Sequence, residues 1–74
     1  MADKLYIWTV YDHPLEYPDA FIARKFRIDA DPVPTTHVLT CTSLMPIREA
    51  LAAQGLTCIP RSPGDDPFIV ESWL

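Results

Sequence analysis

The stretch that decides the fold is LYIWTVYDHPLEYPDAFIARKFRI, residues 5–28. Its first part, residues 5–11, is β-branched or aromatic at six of seven positions and contains no Gly, Pro, Asn or Asp. This composition is typical of a β-strand. Residues 21–28 predict a second strand with one largely apolar face. That face carries Ile22, Arg24, Phe26 and Ile28, and the other carries Phe21, Ala23, Lys25 and Arg27.

A proline-containing loop joins these two predicted strands into a hairpin. The loop is DHPLEYPDA, residues 12–20, and it contains Pro14 and Pro18. Each proline fixes its own φ, removes a backbone donor and favours an extended conformation in the residue before it. We therefore predict that the loop is stiff despite its length.

The segment after the hairpin predicts a loop, a short strand and one helix. Residues 29–36, DADPVPTT, contain two prolines and read as a loop, whereas residues 37–41, HVLTC, are suited to a third strand. The helix is predicted over LMPIREALAAQG, because Ser43 or Thr42 can cap its start and Gly55 can end it.

Two short strands complete the chain. Residues 56–59, LTCI, follow the helix directly, and residues 68–73, FIVESW, come after a polar turn. A strand, a helix and a strand in succession predict that the third and fourth strands run parallel through a right-handed crossover. The last strand is expected to pair antiparallel with the fourth.

The predicted fold class is α+β, with residues 1–74 as one compact domain. The sheet is small and mixed or mainly antiparallel, the element order is β-β-β-α-β-β, and one helix packs on one face. A one-residue slip in strand parity would exchange the two faces of the sheet. The predicted core consists of Leu5, Ile7, Ile22, Phe26, Val38, Leu44, Ile47, Leu51, Ile59, Ile69 and Val70.

The predicted helix has two distinct sides. At about 100° per residue, one stripe is expected to dock on the sheet and the other to face solvent. The docking stripe is Leu44, Ile47, Ala50 and Leu51. The opposite side is Arg48, Glu49, Ala52 and Ala53.

Charge and composition exclude several classes of partner. The chain has ten acidic and six basic residues and a net charge of −4, which repels a nucleic acid backbone.

The start MADKLYIWTVYD lacks the pattern of a leader segment, and no apolar run approaches the ~20 residues of a membrane span, so a cytoplasmic location away from membranes is predicted.

The cysteines and glycines argue against a bound metal or nucleotide. Cys41 and Cys58 have no metal-ligand spacing, and we predict buried free thiols without a disulfide, a metal or another cofactor. The two glycines of the chain exclude a glycine-rich phosphate loop. Asp65 and Asp66 could contact a cation, but a solvated turn is the favoured interpretation because hard metals require more oxygen ligands.

The dipeptide Asp12-His13 is the candidate catalytic pair. An imidazole beside a carboxylate can act as a general base. The alternative is a turn, since Asp commonly starts turns and a His before Pro is extended. Ser43 and Ser62 have better explanations as a helix cap and a turn residue, so no obvious nucleophile accompanies the pair.

Aromatic and basic side chains suggest a binding surface. Tyr6 and Trp8 share one face of the first strand, and the hairpin register could place Phe21 beside them on the side away from the helix. The alternative is that the long side chains of Lys25, Arg24 and Arg27 lie over the rings and shield them. The candidate binding residues are Tyr6, Trp8, Arg24 and Lys25.

A resemblance to known sequences rests on two strings, WTVYDHPLEYPDAFIARKF and PRSPGDDPFIVESWL. Together they make the chain similar to a family of short bacterial proteins of uncharacterised function. The resemblance implies a complete, stand-alone domain. It implies no activity, cofactor or binding residue.

Two classes of function follow from these observations. The first is a non-enzymatic binding or regulatory module that uses its sheet surface, with a homodimer or protein partner anchored on Trp8. The second is a small enzyme or ligand-binding protein centred on Asp12 and His13, with Arg24 or Arg61 as an anion anchor. Convergence of these residues in one concave pocket favours the second class, and a flat aromatic face favours the first.

Overall fold

The computed structural model describes residues 5–74, which form five strands and one helix. The prediction that a leader segment is absent rests partly on the first four residues, which lie outside this range. The elements are β1 (Leu5–Asp12), β2 (Phe21–Ile28), β3 (Pro32–Cys41), α1 (Leu44–Ala53), β4 (Cys58–Pro60) and β5 (Ile69–Trp73). The strands form one sheet in the order β3-β2-β1-β5-β4, with antiparallel pairing throughout. The predicted α+β class and element order are confirmed.

The third and fourth strands lie at opposite edges of this sheet. Each step between neighbours reverses the strand direction, so β3 and β4 point the same way, but β2, β1 and β5 separate them. They therefore do not form the predicted parallel pair. The last strand, β5, inserts between β4 and β1, because the long central strand β1 offers it a second pairing edge beside the three-residue β4. The predicted antiparallel pairing of β4 with β5 is confirmed.

Strand β3 begins earlier than the sequence suggests. Its first residues, Pro32 to Pro34, belong to the segment that was predicted as a loop, yet Pro34 pairs with Phe26. Proline is tolerated there because β3 is an edge strand. The register shifts between Arg24 and Phe26, and the Thr35 hydroxyl donates a 2.8 Å hydrogen bond to the Lys25 carbonyl within this irregularity.

The ends of α1 lie close to the predicted positions. Ser43 is extended, with φ −127° and ψ 148°, and occupies the N-cap position without donating or accepting a capping hydrogen bond through its side chain. At the other end Gly55 has φ 79°, a left-handed conformation that glycine adopts at little cost, and its N–H donates to the Ala52 carbonyl at 2.9 Å.

The docking side of α1 differs from the prediction at two positions. Ile47 and Leu51 are buried and Leu44 is half-buried, as expected. Ala50 is exposed, and Arg48, which was assigned to the solvent side, instead reaches across to the sheet. A long side chain at the edge of the apolar stripe can extend toward the sheet, and an acidic partner described below holds it there.

The core lies between α1 and the sheet, and it contains the tryptophans. Trp8, Val10 and Trp73 form one cluster with the helix residues. The register pairs Val10 with Ala23, so a small residue lies under the helix and allows it to approach the sheet. The buried hydrophobic residues are Trp8, Val10, Ile22, Ala23, Ile47, Leu51 and Trp73.

The face of the sheet on which each side chain lies explains which of the predicted core positions are wrong. Because Trp8 and Val10 face the helix, Leu5 and Ile7 face the other side, and Leu5 is exposed. Ile59 is exposed on the short edge strand. Of the predicted core residues, four are half-buried outside the helix-side cluster: Ile7, Phe26, Val38 and Ile69. The predicted core positions confirmed as buried, or as packed against the core cluster, are Ile22, Ile47, Leu51, Leu44 and Val70.

We predict that Trp8 is a structural residue. Replacing it by Ala should lower the free energy of unfolding by about 3–5 kcal/mol, because a large buried ring is removed. For a chain of this length that is a large share of a total on the order of 4–11 kcal/mol. Urea denaturation measures the change, with Leu15→Ala, at a side chain 86% exposed, as the control that should change little. Equal stability of the two variants would contradict the assignment.

Candidate functional site

The face of the sheet opposite α1 carries the candidate site. Pairing of Thr9 with Arg24 and of Tyr11 with Ile22 places these four side chains on one face. Two loops rise beside this face, the β1–β2 loop and the loop between β4 and β5. We call this surface the open face.

A groove of about 430 Å³ lies on the open face. Side chains of the first three strands form its floor, and the two loops form its walls. Ile22 at the floor is only 3% exposed, so the loops cover it where the helix does not. The lining residues are Tyr11, Pro14, Leu15, Glu16, Ile22, Arg24, Phe26, Pro34, Asp66 and Phe68.

The first wall is held by backbone hydrogen bonds of the β1–β2 loop. The Tyr17 N–H donates to the Pro14 carbonyl at 2.9 Å, and the Ala20 N–H donates to the Tyr17 carbonyl at 3.2 Å. The His13 N–H closes the loop on the Ala20 carbonyl at 3.0 Å. These consecutive turns hold Leu15 and Glu16 at the rim. The expectation that His13 is extended before Pro14 is wrong, because its φ of 46° is left-handed.

The second wall is a turn stabilised by its own aspartates. Asp65 accepts a 3.0 Å hydrogen bond from the Ser62 N–H, and Asp66 accepts one of 2.9 Å from the Phe68 N–H. The Asp12 N–H then donates to the Phe68 carbonyl at 2.8 Å, which ties this wall to the end of β1. The two carboxylates therefore act as turn residues, the favoured of their two interpretations.

Arg24 is the cation among the described residues that line the groove. Its side chain is 26% exposed, and its Nη2 donates a 3.2 Å hydrogen bond to Oε2 of Glu16, whose side chain is 76% exposed. Tyr11 lies beside it, where burial raises the pKa of the phenol and the Arg24 charge opposes that change only in part. The Tyr11 hydroxyl is therefore protonated at neutral pH and can donate a hydrogen bond.

The predicted aromatic patch exists, but on the helix side of the sheet. Lys25 pairs with Trp8 as the predicted register requires, and its Nζ lies 4.4 Å from the Tyr6 ring centroid and 5.9 Å from that of Trp8. Trp8 is only 6% exposed, and Phe21 packs against the same core. The expectation that this patch lies away from the helix is wrong, because Trp8 and Val10, and not Leu5 and Ile7, are the β1 residues that face the helix. Lys25 covers the rings, as the shielding alternative requires.

The four candidate binding residues therefore separate onto two faces. Arg24 lines the groove, whereas the others lie on the helix side. Trp8 in particular has little exposed surface with which to contact a partner. The sequence singled out Arg24 but gave no sign of the groove, because the loop residues that form its walls lie far apart along the chain.

Asp12 and His13 do not share the groove with Arg24. The His13 Nδ1 contacts the Asp12 carboxylate, and the ring packs edge-on against Phe21 with centroids 4.9 Å apart. Phe21 belongs to the helix side of the sheet, so the imidazole lies on that side as well. Arg61 donates to the Asp65 carbonyl at 2.9 Å in its own turn. Among the described lining residues of the groove, Arg24 is therefore present without Asp12, His13 or Arg61.

One buried carboxylate was missed in the sequence. Glu71 is 5% exposed and accepts hydrogen bonds of 3.1 and 2.8 Å from Nε and Nη2 of Arg48. The Trp73 Nε1 donates a third, of 2.8 Å. Burial alone would raise the pKa of Glu71, but these donors outweigh it and hold the pKa below its ordinary value. The available signal was that Glu71 and Trp73 lie two residues apart on one strand face.

The two cysteines are free thiols, and one of them is not buried. Cys41 is half-buried and Cys58 is exposed, so the expectation of two buried thiols is wrong for Cys58. Its position on the short edge strand β4 explains the exposure. Local burial of the thiol and the nearby Glu71 carboxylate raise the Cys58 pKa.

Comparison with known proteins gives no further guidance. No protein-family model, curated protein or solved structure matches the chain. Within the described residues, the one helix falls short of the length and apolar character that crossing a membrane requires.

We predict that Glu71 makes stability depend on acid pH. Its folded pKa is depressed, so its contribution is complete above the ordinary value of 4.5 and is lost as the pH falls through the lower folded pKa. Glu71→Gln should cost about 1–3 kcal/mol at neutral pH and flatten the pH profile below 4.5. Urea midpoints across acid pH measure this effect.

Glu49→Gln is the matched control, since Glu49 is exposed on the same helix beside Arg48. It should retain the wild-type pH profile. An unchanged profile in Glu71→Gln would show that Glu71 does not contribute as described.

Proposed function

We propose that this chain is a non-enzymatic binding module that uses the open face of its sheet. The observation that supports the proposal is the groove of about 430 Å³, whose apolar lining surrounds Arg24. Ligand sites are typically concave, mainly apolar and fitted with a few polar groups that fix orientation. The Arg24 guanidinium and the Tyr11 hydroxyl are such groups.

If the protein binds a small ligand, the groove rather than the Asp12-His13 dipeptide is the site. Arg24 keeps its role as an anion anchor, but the loop tip and the Phe68 wall take the place of Asp12 and His13. Positioned donors on an apolar surface orient a bound molecule, whereas catalysis further requires a group placed to react with it. We therefore favour binding over catalysis, in a cytoplasmic setting in which Cys41 and Cys58 stay reduced.

A protein partner or a second copy of the chain would use the same face. Leu15 is 86% exposed and Phe68 is 38% exposed, so the rim of the groove presents apolar surface to a partner. Sedimentation across a wide range of protein concentration tests self-association. A homodimer on this face should weaken in Phe68→Ala.

Small neutral fragments test the binding proposal directly. Benzyl alcohol and cyclohexanol, titrated into the ¹⁵N-labelled chain, should shift amide signals of Arg24, Phe26 and Phe68, because apolar fragments collect at binding sites. Phe68→Ala should reduce these shifts severalfold, since it removes one wall of the groove.

Val33→Ala provides the matched control. Val33 is 37% exposed, close to the 38% of Phe68, but it does not line the groove. Its fragment shifts should equal those of wild type. Fragments that bind only between α1 and β3, beside Leu39 and Ile47, would contradict the proposal.

A further inference from the structure

We propose that the groove binds a small carboxylate with an apolar body, and that the ligand's carboxylate replaces Glu16 on Arg24. The inference rests on the proposed function and names the ligand class for the same groove. It follows from a comparison of two arginine–carboxylate pairs, from the shape of the groove and from its charges.

The two pairs are built differently. Arg48 uses Nε and Nη2 to hold both oxygens of Glu71, whose side chain is 6% exposed. Arg24 uses one nitrogen to contact one oxygen of Glu16, whose side chain is 76% exposed. Exposed single contacts of this kind contribute little, whereas a guanidinium can hold a carboxylate through two parallel hydrogen bonds. Glu71 is therefore a fixed partner, and Glu16 is one that a better-placed carboxylate can displace.

The groove has room for an apolar body beside that carboxylate. Its volume of about 430 Å³ lies within the range of small-molecule sites. Ile22 and Phe26 lie on its floor, and Leu15 and Phe68 lie at its rim with much of their surface exposed. A branched aliphatic or aromatic group would cover this surface and remove it from water.

Charge limits the ligand to a single carboxylate. Glu16 and Asp66 line the rim, and the chain carries a net charge of −4, so a polyanion would be repelled. One carboxylate matches the one arginine of the lining, and Glu16 can turn into solvent when it is displaced. The neighbouring Tyr11 hydroxyl, which stays protonated, can donate a further hydrogen bond.

The test compares 4-phenylbutyrate with its uncharged amide, 4-phenylbutanamide, by amide-shift titration of the full chain. The acid should bind about tenfold more tightly than the amide to wild type. Arg24→Gln should abolish this preference and leave amide binding unchanged. Glu16→Gln should tighten binding of the acid roughly threefold, because the internal competitor is gone.

Arg27→Gln is the matched control. Arg27 lies on the same strand but on the other face, where it approaches Asp29 at 3.8 Å, and its replacement should not alter either affinity. Thermal melts of each variant confirm folding. Glu16 is exposed enough that its replacement leaves the fold intact, so this arm stays decisive even if Arg24→Gln unfolds.

Several outcomes would overturn the inference. Equal binding of acid and amide, or no gain in Glu16→Gln, rejects the carboxylate ligand while neutral fragments in the groove still support the binding module. A peptide with a free C-terminal phenylalanine that binds far more tightly than 4-phenylbutyrate assigns the groove to a protein terminus. Groove signals that shift with protein concentration alone assign it to a second copy. If no probe binds there, both proposals fail.

Discussion

The Glu71 carboxylate joins the two halves of this small fold. The helix α1 packs mainly over β2 and β3, toward one edge of the sheet, whereas Glu71 lies on β5, toward the other edge but on the same face. Arg48 bridges this distance, and the Trp73 indole completes the set of donors. A buried carboxylate is costly unless it is fully hydrogen-bonded, so the position of the helix, the orientation of Trp73 and the burial of Glu71 depend on one another.

The two faces of the sheet are covered in different ways. One helix of about three turns covers the face that contains Trp8 and Val10. Among residues 5–74 no second helix or sheet covers the other face, and Ile22 there is covered by loop residues instead. Loops cover a sheet less completely than a helix does, and the space they leave over Arg24 is the groove. The candidate site is thus a consequence of covering a five-stranded sheet with too little chain.

Much of the local structure could be predicted from the sequence, but the side of the sheet on which each residue lies could not. Residues 5–11 are apolar at alternate positions in both registers, so Tyr6 and Trp8 competed with Leu5 and Ile7 for the core. Trp8 and Val10 lie in the cluster under the helix, and the Tyr6 ring beside them is covered by Lys25. Strand β3 was predicted too short because proline normally interrupts strands, and only its edge position, a tertiary property, permits Pro32 and Pro34.

The candidate site shows the same limit. Arg24 could be singled out by its charge among the apolar residues of its strand face, whereas one wall of the groove comes from residues about forty positions later in the chain. Arg48 was assigned to solvent by helical periodicity, and its true position depends on a glutamate twenty-three residues later. Pairs of this kind depend on how the strands and the helix are arranged in space, and the periodicity of a single element does not reveal that arrangement.

The prolines at the two edges of the sheet limit the pairing of an added strand with either edge. Pro32 and Pro34 supply no N–H on β3, and β4 is three residues long and ends at Pro60. Neither edge is a good template for an added strand, which discourages open-ended stacking of chains. The binding proposed for the open face therefore relies on side chains rather than backbone, and side-chain recognition discriminates between chemical groups where backbone pairing would accept almost any extended peptide.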